Sequence, residues 1–269
     1  MLGTLTLFLV PVLAIGAALY LYQHTGKREF LRFDLVQFVY AFVLTPIVYV
    51  WMKSFLFVFL VKELNLSLTV TEIFLADTVF TVIFLFFYAF LVIHSLTKSF
   101  ELKRSHDPLY DLFQHSEFFH MLTSHVAIYI GLVVLISILS TVNIFIPLDF
   151  VHNMIAFYAC LGFGFLVGLF VYVGILLTDD DFEIQHPRFE MFIELLYASF
   201  FIYHVSLFFY FRPAFNMTEV VFWFVFMILF GFIISSYVLE RSEKFVKFMK
   251  KFHYKEPRFT VKIGKKKKA

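Results

Sequence analysis

Lys53 and Asp77 sit inside two long apolar runs, about equally far from a short polar break near residue 65. Two helices folded at that break bring both charges to similar depth, where an ion in lipid needs a partner or a function. The spacing predicts an ion pair, either a structural clamp or a titrating pair on a proton or ion path. A second group collects toward the other side of the chain's apolar runs. His94 ends the third run, His120 and His125 open the fourth, and Glu190 and Glu194 open the sixth, four apart on one helical face. His115 and Glu117 come just before the fourth run. Imidazole with carboxylate can bind a metal or haem or relay protons, and hydrated interfacial histidines are the plainer reading. His94, His125 and Glu194 are the expected core of such a site. A third, thinner set comprises Asp149, His152, His204 and Glu219, with His204 deepest. That imidazole is expected either to be neutral and bonded to a hydroxyl or carbonyl, or to ligate haem together with His152.

Spacing narrows these options. His115, His120 and His125 are five apart, so successive rings turn about 140° around a straight helix and cannot all face one ion. The chain has no His-Glu-x-x-His motif and lacks the His-x-x-x-His and His-x-x-His-His boxes of membrane desaturases. It also has no Gly-rich phosphate loop, nucleophile elbow or Rossmann fingerprint. The single Cys160 excludes an intrachain disulfide, a CxxC pair and a Cys-based zinc site. Residues 218–240 contain no lysine for a retinal. No nucleophile, base and orienting group stand at a recognisable spacing, so the reading leans away from an enzyme. No cofactor can be named.

The elements that position these residues follow from composition. Apolar types make up 61% of 269 residues and charged types 16%, against roughly 45–50% and 25% in soluble domains. Mean hydropathy is +0.85. A membrane span needs about 20 apolar residues, and seven runs qualify: 3–22, 35–61, 72–97, 118–142, 150–177, 190–211 and 218–240. The chain is expected to be an all-α polytopic transmembrane bundle, with residues 1–240 in the membrane domain and 241–269 in a basic tail. The second run contains Pro46 and reads as one kinked span. Lys27, Arg28 and Arg32 follow the first run, and Lys98, Lys103 and Arg104 follow the third. The opposite gaps hold only Lys62 and Arg212. Cations favour the cytoplasmic side, which puts the N-terminus outside and the C-terminus in the cytoplasm. Because its cations follow rather than precede it, the first run is expected to be retained rather than cleaved.

Ala156, Cys160, Gly164 and Gly168 recur every four residues and form a small-residue ridge. Such ridges let helix backbones approach closely in lipid. Packing within one bundle is the plain expectation, and a homodimer or another membrane-protein partner on this face is the alternative. In the tail, Phe245, Phe248, Met249 and Phe252 share one helical face among Lys244, Lys247, Lys250 and Lys251. This predicts a short amphipathic helix on anionic lipid headgroups, with no need for nucleic acid. Lys266-Lys267-Lys268-Ala269 matches a dilysine retrieval signal, and Asn65-Leu66-Ser67 and Asn216-Met217-Thr218 are glycosylation triplets. A bacterial cytoplasmic membrane is the first reading of location, and the endoplasmic reticulum is the second.

Asp107-Pro108-Leu109, His120-Met121 and His125 carry a local likeness. This stretch of about twenty residues resembles the Pro-Leu and His-Met-x-x-His region of seven-span assembly factors for copper-containing cytochrome oxidases. Here the second histidine falls one place late and the paired prolines of that family are missing. The resemblance implies metal handling in a membrane complex. Three functions are therefore expected: transport of a small solute or ion, an accessory role in a membrane complex, or metal or haem handling.

Overall fold

The computed structural model describes residues 2–22, 28–30, 33–57, 69–101, 124–148, 153–179 and 187–240. The basic tail, His115, Glu117, His120, Asp149, His152 and the Asn65 triplet lie outside them. Among the described residues seven helices follow one another: α1 Leu2–Tyr22, α2 Leu35–Phe57, α3 Val70–Glu101, α4 His125–Phe145, α5 Met154–Asp179, α6 Pro187–Phe211 and α7 Val220–Glu240. Helices α2 to α7 are long and apolar enough to cross a membrane, while α1 carries a shorter apolar run, Leu7–Tyr22. The protein is an all-α, multi-pass helical bundle. A two-residue antiparallel ladder, Glu29–Phe30 with Phe33–Asp34, leads into α2.

The effect of Pro46 on α2 is a wider turn rather than a break. Pro46 has no N–H to offer the Phe42 carbonyl, and the turn before it, Tyr40–Leu44, is π-helical. The Thr45 amide and its hydroxyl both reach back to the Tyr40 carbonyl, the hydroxyl at 2.8 Å. The second span is therefore one helix with a π turn.

Side-chain contacts fix the direction of every helix. Trp51 bonds the Leu7 carbonyl and Tyr40 the Ala18 carbonyl, so α1 and α2 are antiparallel. Tyr49 meets Thr81 and Asp34 meets Ser99, which makes α3 antiparallel to α2. His94 faces His125, and Phe87 lies on Gly131, so α4 turns again. Gly164 meets Phe224 and Gly168 meets Ile228, which sets α5 parallel to α7. Tyr197 stacks on Phe232 while His204 stacks on Phe222, so α6 opposes α7. Successive helices alternate, and the two ends of the bundle domain lie on opposite faces.

Helix α7 sits at the centre, packed against α4, α5 and α6. Its closest neighbour is α5, and the small-residue ridge is the reason. A Cβ on Gly164 would stand 2.5 Å from the Phe224 carbonyl oxygen, and one on Gly168 would strike the Ile228 carbonyl. Reciprocally, a Cβ on Gly231 of α7 would be 2.6 Å from the Phe165 carbonyl oxygen. Ala156 and Cys160 on the same ridge are buried. Backbone contact at this range brings many atoms to dispersion distance, which is what holds helices together in lipid. The ridge is covered by α7 of the same chain, so a homodimer needs another face.

Candidate functional site

Lys53 and Asp77 meet as an ion pair between α2 and α3. The lysine also donates to the Thr81 hydroxyl at 3.2 Å and lies 5.9 Å from the centre of the Tyr49 ring. Their side chains are 24% and 44% exposed, and helix length explains why so much is tolerated. Residues 78–97 of α3 are free of Asp, Glu, Lys and Arg. Those 20 residues rise about 30 Å, one hydrocarbon thickness. Asp77 and Lys98 therefore mark the two rims of the apolar layer. On α2 the charge-free run is 35–52, bounded by Asp34 and Lys53. At the other rim Asp34 is buried and caps α2, accepting from the Val36 and Gln37 amides at 3.0 Å, while its own amide donates to Ser99. Charges at a rim can reach headgroups and water, so they cost less than charges at the centre.

The deep polar group lies between α4, α6 and α7. His204 is wholly buried. Its Nδ1 is 2.8 Å from the Phe200 carbonyl oxygen and its Nε2 is 3.0 Å from the Ser140 hydroxyl. A carbonyl can only accept, so in the neutral ring Nδ1 carries the hydrogen and Nε2 accepts from Ser140. The ring stacks on Phe222 of α7, and beside it Tyr203 bonds Thr141 at 3.0 Å.

His204 belongs to a longer column. At about 100° per residue, His125, Tyr129, Ser140 and Asn143 fall within an arc of about 60° on α4 and span about 27 Å. At the upper end Asn143 caps α7. Its Oδ1 accepts from the Val221 and Phe222 amides, and its Nδ2 donates to the Ile146 and Thr218 carbonyls. Glu219, half-buried, lies one turn before Phe222. Below His204 come Ser137 and Tyr197, both buried, with Tyr197 stacked on Phe232 at 4.2 Å. Tyr129 lies within electrostatic reach of Tyr197. At the lower end the His94 and His125 rings are 4.5 Å apart, and Glu194 lies one turn below Tyr197.

The structure thus brings Lys53 to Asp77 and His94 to His125, and it holds His204 apart from both. Among the described residues, no three His, Cys, Asp or Glu converge where they could hold a metal ion. Glu190 lies in α6, but its side chain is outside the described ones. Haem ligation by His204 would have to break one of its two hydrogen bonds. The Asn216 side chain accepts from the Thr218 amide and hydroxyl, at 2.8 and 2.6 Å, so this glycosylation triplet is folded on itself. Sequence reasoning missed Ser137, Ser140, Tyr129, Tyr197 and Asn143. For the four on α4 the available signal was polar residues recurring along one side of an otherwise apolar helix, and for Tyr197 on α6 there was none.

The chain matches no protein-family model, no curated protein and no solved structure.

Proposed function

We propose that the protein moves a small solute or ion across a membrane, alone or as a subunit of a membrane complex, along the column between α4, α6 and α7. The observation behind this reading is His204, a titratable group buried at membrane depth and held by a hydroxyl that can both donate and accept. Basic gaps orient the N-terminus outside and the tail in the cytoplasm, where the tail's lysines suit anionic lipid. A bacterial cytoplasmic membrane fits this arrangement. Purified protein reconstituted into liposomes should carry an ion flux that Ser140→Ala reduces while the fold is retained. Equal flux in wild type, variant and empty liposomes would reject the reading.

The second reading is metal or haem handling, and the facing His94 and His125 rings favour it. Metal analysis and a visible spectrum of the purified protein decide it. A stoichiometric metal lost on His94→Ala would support it.

A further inference from the structure

Two hydroxyls below His204 are buried and have no hydrogen-bonding partner among the described residues: Ser137 Oγ and Tyr197 Oη. Tyr197 is wholly buried and Ser137 is 4% exposed. A buried hydroxyl with no partner is costly, and the usual remedy is an ordered water with several polar neighbours. Both hydroxyls come below His204 in helical order. Helices α4 and α6 run parallel, since the outer ends of both meet the start of α7. Ser137 is one turn below Ser140, and Tyr197 is two turns below His204 on its own helix. Tyr129 continues the same direction toward His125 and His94.

We infer that the species moved is the proton, and that Ser137 and Tyr197 hold the water molecules that carry it between His204 and the His94–His125 end. This rests on the transport reading and names its substrate. Between Asn143 and His125 the column offers imidazole and hydroxyl groups, each able to donate and accept, and no fixed charge to replace the shell of a metal cation. The groups facing His204 are Ser140 from α4, Tyr203 from α6 and the Phe222 ring from α7, with Glu219 a turn nearer the other end. Uptake is balanced. Ser140 passes its hydroxyl hydrogen to Nε2 as its oxygen takes a proton from the Glu219 side, which leaves an imidazolium and a neutral serine. Release reverses this on the Ser137 side. Nε2 returns its proton to the Ser140 oxygen, and that hydroxyl yields one to the water at Ser137. One proton enters, one leaves, and nothing is oxidised or reduced.

The test uses full-length protein in liposomes containing a pH-sensitive dye, driven by a potassium diffusion potential, with melting temperatures measured in parallel. Tyr197→Phe and Ser137→Ala should each lower proton flux by about tenfold, the worth of one hydrogen bond. Each should also lower the melting temperature by about 2–4 °C, because the water loses a partner. If both variants keep wild-type proton flux and melt at the same or a higher temperature, the hydroxyls hold no water and the proposal falls. A wild type that conducts sodium or potassium but not protons overturns the proposal and leaves transport standing. A wild type that conducts nothing removes both.

Discussion

The α2–α3 hairpin and the α4–α7 core handle polar groups in opposite ways. In α7, 56% of the apolar stretch is buried by neighbouring helices, and in α3 only 17% is. The hairpin places its charges at the rims of the apolar layer, Lys53 with Asp77 at one and Asp34 with Ser99 at the other. The core carries no fixed charge at depth. Two of its polar groups are wholly buried and held by specific partners, Asn143 at the head of α7 and His204 beside Ser140. The Lys53–Asp77 charges are thus held where headgroups can reach them, and a group that can gain and lose a proton is placed where they cannot. The most conspicuous charged pair is therefore assigned to anchoring, and the quieter imidazole to chemistry.

Disrupting the core should have the largest effect. Gly168→Val drives a side chain into the Ile228 backbone and forces α5 from α7. It is expected to cost more than about 3 kcal/mol and to abolish the monodisperse peak in size-exclusion chromatography. Asn143→Ala strips the α7 amides and two carbonyls of their partner. A loss of about 2–4 kcal/mol is expected, read as a lower melting temperature in detergent. The hairpin should respond least. Lys53→Met should cost only about 1 kcal/mol, since the pair is partly exposed, and adding Asp77→Leu should recover most of it. A larger loss in the single variant than in Asn143→Ala would invert the comparison.

Much of the bundle can be read directly from the chain, because a run such as 78–97 is too long and too apolar to be anything but a buried or membrane helix. The Lys53–Asp77 contact was also legible, since a hairpin with a short break equates the depths of its arms. The Ser140–His204 contact was not. It joins α4 to α6, two helices that are not consecutive, and nothing in local spacing sets their rotation or separation. Asn143 was hidden for the same reason, since its role depends on the start of α7 arriving beside it. His94 and His125 share a rim because their helices are neighbours, whereas Glu194 belongs to α6, whose place was set by tertiary packing. The small-residue ridge was visible as a pattern, but its partner became clear only when Phe224 and Ile228 lay against it.

The central claim is that the deep imidazole, not the rim ion pair, lies on the transport path. Proton flux into liposomes should be compared between Asp77→Asn and His204→Asn, with both variants confirmed to be folded. Asparagine at 204 retains a donor near the position of Nδ1, so the bond to Phe200 is kept while the titrating nitrogen is lost. The expected result is near-wild-type flux for Asp77→Asn and no flux above empty liposomes for His204→Asn. Flux lost in Asp77→Asn and preserved in His204→Asn would contradict the account.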